Sequence, residues 1–347
     1  MGAKKTSPLR IGIVAAAVFG ITAIASATFP GRNGRIAFSD GTDIFTMNSD
    51  GSDVRQLTSV GPANSTCCFE WSADGRSIAY SLSPADGSTS QLWIMNADGS
   101  NQHLLFDDPD GLDVAPSFSP DGNYVAFTRC PLTIPNANCV IARIRSDGTD
   151  LTSITQQGTD PDVADLDPVY SPDGAMIAFG NVTRGGLIEA LYLVNADGSN
   201  LRVFTPPLDG PAKPDWEPDG RRVAFQTGFF YAGDIPPCIG DSTIRSIRLD
   251  GGGDEPLTGS PGFSDSYPSF SPQQDALVFA RTDAQGDSSI YVLDLGHSGA
   301  VPTLVHRSAA RRAPRPSALI RGPKSKNGRA PHPIESGGTS PRWGASP

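Results

Sequence analysis

The sequence predicts an all-β fold, a six-bladed β-propeller of four-stranded blades. An aromatic residue followed by a Ser-Pro-Asp-Gly-like turn recurs at intervals of 46 to 54 residues, and the glycine of a later turn recurs with it. Short apolar segments without a helical pattern separate the turns. Repetition every 40 to 50 residues or so, with several strands per unit, is typical of propeller blades. The first marker lies at WSADG (71–75), FSPDG (118–122), YSPDG (170–174), WEPDG (216–220) and, in weaker form, FSPQQ (270–274).

Blade two shows the order of the elements. Segment 67–72 predicts the inner strand A, 77–81 strand B, 91–96 strand C and 102–106 the outer strand D. The Ser-Pro-Asp-Gly turn joins A to B, because proline presets φ and glycine accepts the positive φ of a tight reversal. The Asn-Ala-Asp-Gly turn joins C to D by the same chemistry. Aromatic residues end strand B in every unit, and we interpret them as core packing between blades. They are Phe38, Tyr80, Phe127, Phe179, Phe225 and Phe279.

The two markers differ in number, which indicates a missing strand. Six later-turn glycines stand against five first markers, and the first unit begins near Ile36 with strand B. Residues 339–347 repeat the strand A pattern of Pro-x-aromatic, with Pro341 and Trp343 matching Pro116 and Phe118. We hypothesise that this terminal segment supplies the missing strand and closes the ring, since an open ring leaves unpaired edges. The later-turn glycines are Gly51, Gly99, Gly148, Gly198, Gly251 and Gly296.

These repeats resemble those of TolB-type, WD40-like propellers. The resemblance rests on WSADGRSIAY with QLWIMNADGSN, on FSPDGNYVAF, and on YSPDGAMIAF with LYLVNADGSN, and it covers roughly residues 34–305. It implies the fold and leaves the function open, because the matching residues form turns and blade core. TolB carries a further amino-terminal domain through which it engages Tol partners. We expect this chain to lack that domain, because its first blade follows almost directly on the leader segment.

The amino terminus predicts export. Three basic residues precede an uncharged run from Ile11 to Ala27, which ends in the small-x-small sequence Ala25-Ser26-Ala27. The basic residues are Lys4, Lys5 and Arg10. This is the plan of a secretory signal peptide cleaved after Ala27, with a retained signal anchor as the alternative. We therefore expect a secreted, periplasmic or cell-envelope protein. The predicted organisation is a signal peptide at 1–27, the propeller at 28–305, a basic Pro/Ser/Gly-rich disordered linker at 306–338 and the ring-closing strand at 339–347.

Export permits disulfides, and one pair of cysteines is well placed for a bond. Cys130 and Cys139 bracket a loop between strands B and C of blade three, where the cross-strand spacing suits a disulfide. The pairing of Cys67, Cys68 and Cys238 stays open. The spacing of these cysteines does not match a zinc site.

The topology sorts the connections onto two faces. The A–B and C–D turns share one face, here called the uniform-turn face, and the B–C and D–A connections share the variable-loop face. Loops of variable length often carry function. The B–C loop of blade five, residues 226–243, is the longest of them and contains Phe229, Phe230 and Tyr231. These aromatics predict a partner-binding patch, with packing over the blade rim as the alternative.

The variable-loop face is also acidic. Asp113, Asp165 and Asp265 occupy one equivalent position, three residues before the proline of strand A, and we expect them near the mouth of the central channel. Carboxylates there could attract a basic peptide or hold calcium, and a solvated, charge-rich loop is the third interpretation. We predict no cofactor, with calcium as the open alternative.

These observations favour a non-catalytic scaffold that binds a protein partner on the variable-loop face, and we expect a monomer. No nucleophile elbow, P-loop, dinucleotide fingerprint or HExxH motif occurs. Residues 28–305 carry 15 basic and 36 acidic residues, which disfavours binding to nucleic acid. No membrane association is expected beyond the export signal. The alternatives are a lactonase- or lyase-like enzyme with a metal at the acidic channel mouth, and a carbohydrate-binding module.

Overall fold

The computed structural model is all-β, and it confirms the six-bladed propeller of four-stranded antiparallel sheets. It describes residues 29–85, 87–109, 111–132, 139–156, 164–182, 188–205, 210–228, 242–307 and 340–345. Within these ranges no helix is long and apolar enough to span a bilayer. The predicted signal peptide, most of the basic linker, Cys238 and the aromatic cluster Phe229, Phe230 and Tyr231 lie outside the described residues.

Each blade contributes strands in the order A, B, C, D from the inside outward. Blade one lacks its own inner strand at the start of the chain and begins with β1 (Asn33–Ser39), β2 (Ile44–Met47) and β3 (Arg55–Gln56). Blades two and three comprise β4 (Asn64–Trp71), β5 (Ser77–Pro84), β6 (Gln91–Asn96), β7 (His103–Phe106), β8 (Gly111–Phe118), β9 (Tyr124–Pro131), β10 (Val140–Arg145) and β11 (Thr152–Ser153). Blades four and five comprise β12 (Ala164–Tyr170), β13 (Met176–Val182), β14 (Ile188–Asn195), β15 (Arg202–Val203), β16 (Ala212–Trp216), β17 (Arg222–Gln226), β18 (Ile244–Arg248) and β19 (Glu255–Pro256). Blade six comprises β20 (Ser264–Phe270), β21 (Ala276–Thr282), β22 (Ser288–Asp294) and β23 (Thr303–Arg307).

The carboxyl-terminal strand β24 (Ser340–Ala345) completes blade one. It pairs antiparallel with β1, with Ile36 opposite Trp343 and Phe38 opposite Pro341. This gives blade one the sheet order β24-β1-β2-β3, so that the innermost strand comes from the far end of the chain. Pairing at this position covers the inner edge of β1, which would otherwise offer unpaired backbone groups.

Blades one and six also meet through side chains at the uniform-turn face. The Asn33 amide donates to Asp275 Oδ1 at 2.9 Å, and the backbone N–H of Gln273 donates to Asn33 Oδ1 at 3.0 Å. These bonds join residues at the start of β1 to the A–B turn of blade six. The seam between the first and last blades is therefore held by polar contacts as well as by packing.

The two recurrent turns have the geometry that their sequences predict. The glycines of the A–B turns have positive φ, as at Gly75 (69°) and Gly122 (70°). The later-turn glycine has a further reason to be glycine, because the turn lies against strand D of the preceding blade. A Cβ on Gly99 would lie 2.8 Å from the carbonyl oxygen of Leu57, and a Cβ on Gly198 would lie 2.8 Å from that of Ile154. These glycines therefore serve both the turn and the packing between blades.

The aromatic residues that end the B strands are buried, as predicted. Phe127, Phe225 and Phe279 are fully buried, and the other three are at most 2% exposed. Most hydrophobic clusters join consecutive blades, as when Ala79 and Leu92 of blade two pack with Phe118 and Phe127 of blade three. The core is thus a series of seams between blades, which is why each seam residue recurs once per repeat.

Candidate functional site

Strand A of five blades contains a β-bulge at one position. The register between strands A and B shifts by one residue, for example between Val114 and Ser117. The residue at the bulge has φ between 54° and 58°, although none of the five is glycine. Non-glycine residues in this region cost about 1 kcal/mol or more each, and such strain clusters at functional sites. We call these residues the bulge ring: Cys68, Ala115, Asp167, Lys213 and Tyr267.

The members of the bulge ring contact one another around and across the central channel. Lys213 Nζ lies 2.7 Å from Asp167 Oδ2, and both side chains are 8% exposed. The same ammonium lies 5.6 Å from the centroid of the Tyr267 ring. Tyr267, from blade six, also packs against the cluster that Cys68 and Ala115 form between blades two and three. Side chains of non-adjacent blades therefore meet within the bulge ring.

Polar side chains of the preceding blade support the bulge. The backbone N–H of Asp167 donates to Thr128 Oγ1 at 3.0 Å, and that of Tyr267 donates to Gln226 Oε1 at 3.1 Å. Thr128 and Gln226 each follow the buried aromatic residue of their B strand. They satisfy backbone donors that the shifted register withdraws from the ladder.

The sequence analysis missed the bulge ring, although a signal for it was present. Four of the five members precede a proline inside strand A, namely Pro116, Pro168, Pro214 and Pro268. Proline within a strand is confined to edges and bulges because it cannot donate to the ladder. The recurrent proline therefore indicated a bulge in strand A, and the residue before each proline is the member of the bulge ring.

The predicted acidic residues lie two positions before members of the bulge ring, and they differ in burial and in their partners. Asp265 is fully buried and accepts two hydrogen bonds from Arg281, at 2.6 and 2.8 Å. Asp165 is partly buried and accepts a bond from the Asn181 amide at 2.7 Å. Burial raises the pKa of Asp165, while hydrogen bonds from Thr155 and Asn181 act in the opposite direction.

Asp113 is fully buried, and neither of its carboxylate oxygens has a hydrogen-bond partner. Burial raises its pKa to about 7; Arg129 opposes this rise, whereas Asp108 and Asp107 add to it. Arg129 stands opposite Asp113 in the strand register but forms its ion pair with Asp108, and its guanidinium lies 5.2 Å from the Phe106 ring centroid. Asp113 is thus a buried carboxyl that is neutral through most of the acidic range.

Asp165 and Asp265 are engaged by side chains of their own blades, whereas Asp113 has no hydrogen-bond partner. Among the residues that the structure describes, no group of three or more His, Cys, Asp or Glu side chains could hold a metal ion. Asp113 and Asp265 are fully buried, so neither belongs to a solvated, charge-rich loop. The bulge, two residues further on, directs Asp167 and its equivalents into the channel.

The predicted disulfide between Cys130 and Cys139 is present. It lies in a small apolar cluster with Leu112 and Leu166 near the variable-loop face. A disulfide is typical of proteins in oxidising compartments.

A cleft of about 460 Å³ lies between blades five and six. Arg245 and Arg281 line it together with apolar side chains such as Leu257. Both arginines are already paired, with Asp254 and Asp265. The cleft therefore offers mixed polar and apolar walls in which both arginines are already paired.

Comparison with known proteins places these features in a family. The family model described as the TolB beta propeller domain matches residues 106–314. "Uncharacterized peptidase YuxL" of Bacillus subtilis is 26% identical over 155 residues, which are 45% of this chain and 20% of that protein. "Dipeptidyl-peptidase 5" of Porphyromonas gingivalis is 26% identical over 302 residues, which are 82% of this chain and 40% of that protein. The chain thus spans less than half the length of either relative.

A solved structure agrees with the fold. TolB from Acinetobacter baumannii superimposes with a TM-score of 0.61 at 18% identity, covering 90% of this chain and 67% of that one.

The relatives correct one prediction. The expectation that the chain is not an enzyme is wrong as an inference from its sequence, because two relatives are named as peptidases. The absence of a hydrolase motif in the propeller repeats does not separate this chain from them. The match to the TolB propeller model extends over more than half of the chain. Six four-stranded sheets, one for each blade, agree with that match. The chain belongs to the TolB β-propeller family.

Proposed function

We propose that this chain is an exported propeller that binds a basic protein partner on its variable-loop face, over the central channel. The observation that carries the proposal is the separation of charge between the two faces. The same repeat places turns of fixed sequence on one face and acidic connections on the other.

On the uniform-turn face, arginines pair with some of the carboxylates. Asp53 pairs with Arg35 and Arg55 at 2.8 and 2.7 Å, and Arg222 pairs with Glu255 at 2.6 Å. The turn aspartates have structural partners as well, since Asp98 accepts hydrogen bonds from the backbone N–H and hydroxyl of Ser100. The carboxylates of this face are thus engaged by arginines or by the hydroxyl and N–H groups of their own turns.

On the variable-loop face, Arg281 and Arg129 are turned into the blades. Arg281 is 9% exposed and bound to Asp265, and Arg129 is bound to Asp108. Exposed carboxylates such as Asp107 and Asp287 remain at the surface. Together with the 36 acidic residues of segment 28–305, this arrangement favours a partner with Lys or Arg side chains.

The bulge ring supports a site over the channel. Asp167 and Tyr267 hold the ammonium of Lys213 between a carboxylate and an aromatic face, which are the two groups that recognise a cation well. A basic side chain that enters the channel from the variable-loop face meets this pair and competes with Lys213 for it. The strained backbone of the ring keeps the groups pointing inward.

Export is part of the proposal and is supported by two features. The Cys130–Cys139 disulfide is suited to an oxidising compartment. Residues 1–27 have the composition of a secretory signal.

Charge variants matched in number test the proposal. The probe is a decalysine peptide, and the comparison is between Asp107→Asn/Asp287→Asn on the variable-loop face and Asp98→Asn/Asp197→Asn on the uniform-turn face. We expect the first pair to weaken binding several-fold at low salt and the second to change it by less than twofold. Equal effects of the two pairs would contradict a face-specific site. Pull-down from envelope extract with the wild type and the first pair then identifies partners that depend on this face.

A second candidate function is peptidase activity, favoured by the two relatives that are named as peptidases. Release of p-nitroaniline from a panel of dipeptidyl p-nitroanilides by the full chain is the direct assay. Hydrolysis above the blank, abolished by an active-site serine reagent, supports this candidate. Absence of hydrolysis across the panel counts against it.

A further inference from the structure

One cross-strand pair recurs in three blades with three different outcomes. Strand A carries an aspartate, and the residue opposite it on strand B is Arg281 in blade six, Asn181 in blade four and Arg129 in blade three. In blade six the aspartate and arginine form a buried bidentate pair, and in blade four the amide donates a single bond. Blade three has the residues for the bidentate pair but does not form it.

The blade three pair is diverted by the connection between blades two and three, residues 107–109. Asp108 from this connection binds the Arg129 guanidinium, and Gly111 leaves room for the Asp108 side chain, which a Cβ at 111 would meet at 2.9 Å. Four buried polar atoms around this position have no hydrogen-bond partner. They are Asp113 Oδ1, Asp113 Oδ2, Arg129 Nη1 and Ser90 Oγ.

We propose that Arg129 is a two-position switch. It is held by Asp108 while Asp113 carries a proton, and it turns to Asp113 when that proton is lost to solvent, which releases Asp108 and the 107–109 connection at the variable-loop face. The second position is the one that Arg281 adopts toward Asp265 in blade six. An ionised, buried Asp113 without a partner is costly, whereas the bidentate pair provides two charge-assisted hydrogen bonds.

The groups around Asp113 are consistent with loss of its proton near neutral pH. Its pKa is raised to about 7, mainly by burial, and the charged groups that act on it are Arg129, Asp108 and Asp107. The strands packed against β8 are β4, β5, β6, β9 and β12. Their other titratable residues are Cys67, Cys68, Glu70, Tyr80, Tyr124, Asp165, Asp167 and Tyr170.

The switch rests on the proposed function, because it would regulate the same acidic face. Deprotonation of Asp113 removes the arginine from Asp108 and leaves that carboxylate for a basic partner. Binding of the decalysine peptide is therefore expected to tighten by threefold or more between pH 5.5 and pH 8.0, beyond the change seen in Asp113→Asn.

Hydrogen exchange of the full chain tests the switch without any partner, so its failure is distinct from failure of the proposed function. Protection of the amides in segment 105–114, corrected for the intrinsic pH dependence of exchange, is compared at pH 5.5 and pH 8.0. We expect protection to be at least threefold lower at pH 8.0. The equivalent blade six segment 257–266 is the internal reference and should not change.

Two variants separate the switch from a general effect of pH. Asp113→Asn keeps Arg129 on Asp108, so protection of 105–114 should stay high at both pH values. Asp108→Asn gives Arg129 to Asp113 throughout, so protection should be low at both. A pH dependence that persists unchanged in Asp113→Asn overturns the proposal. An Asp108→Asn protein that keeps the wild-type difference in protection between the two pH values also overturns it. Because Asp108→Asn replaces a partly exposed side chain, this variant provides the test if Asp113→Asn fails to fold.

Discussion

Blades three and six place the same two residue types opposite each other, yet only blade six joins them. Asp265 and Arg281 form a buried bidentate pair, while Asp113 and Arg129 stand in register without a bond because Asp108 holds the arginine. The repeat sets which residues face each other. The connection between blades, which the repeat does not specify, determines whether they pair. A functional difference between equivalent blades therefore arises in the loops.

The largest effect is expected from breaking the formed pair. Asp265→Ala leaves the Arg281 guanidinium buried without its partner, and loss of one member of a buried ion pair costs about 3 to 5 kcal/mol. Urea unfolding at pH 7.5 measures the change in the free energy of unfolding. The double variant Asp265→Ala/Arg281→Met, which removes both charges, should recover much of the loss. If Asp265→Ala is no less stable than the wild type, the contrast between the two blades has no energetic basis.

The second effect is a pH dependence of the free energy of unfolding. It comes from Asp113, which stands opposite Arg129 without a bond to it. The folded-state pKa of Asp113, about 7, lies above its unfolded value, so the unfolded chain loses this proton first as the pH rises. Stability contributed by protonated Asp113 is therefore complete below about pH 4 and is lost progressively up to about pH 7.

The shift of about three pKa units sets an upper limit of roughly 4 kcal/mol, which pairing with Arg129 at high pH reduces. Asp113→Asn should unfold at nearly the same urea concentration as the wild type at pH 4 and be more stable than the wild type at pH 8. Asp265→Asn is the matched control and should be less stable than the wild type at both values. Parallel curves for the wild type and Asp113→Asn would mean that Asp113 does not titrate in this range.

Sequence reasoning reached the scaffold because the scaffold is local chemistry repeated. The turn glycines, the aromatic residues that end strand B and the Cys130–Cys139 disulfide each follow from a short motif. Even the closing strand β24 follows from counting turn markers, since a missing inner strand had to be supplied from elsewhere in the chain.

The site was less accessible to the same reasoning. Period-two alternation does not show which residue of strand A faces the channel, because the bulge before Pro116 and its equivalents shifts the alternation by one. The sequence therefore did not predict that Asp113 is fully buried. The diversion of Arg129 to Asp108 depends on the path of a connection, and no short motif encodes that path.

The third prediction compares the later turns of the two blades. Gly148 of blade three has φ +84°, and a Cβ there would lie 2.9 Å from the Leu105 carbonyl oxygen of the preceding blade. Gly296 of blade six is not in the left-handed region, and its nearest neighbour is the flexible Asp294 carboxylate at 3.2 Å. Gly148→Ala should therefore lower the free energy of unfolding by about 2 kcal/mol, and Gly296→Ala by no more than about 0.5 kcal/mol. Urea unfolding of the two proteins checks this, and equal losses would contradict a role of the turn in blade contact.

The smallest effect concerns the first turn, where blade six has Gln274 in place of the glycine of blade three. Gln274 has φ 59° and Gly122 has φ 70°, so the weakened marker retains the turn geometry at the cost of a strained residue. Gln274 also donates to Glu217 Oε2 at 3.0 Å, so replacing it removes a contact between blades five and six. Gln274→Ala and Gln274→Gly both lose that bond, but only glycine relieves the strain. The glycine variant should therefore be more stable than the alanine variant by about 1 kcal/mol in urea unfolding. In blade three, a Cβ at position 122 would meet no atom within 4 Å, so Gly122→Ala should lower the free energy of unfolding by about the same amount through backbone strain alone. If the glycine variant is no more stable than the alanine variant, residue 274 is not strained. The first turns of blades three and six would then differ in backbone conformation as well as in sequence.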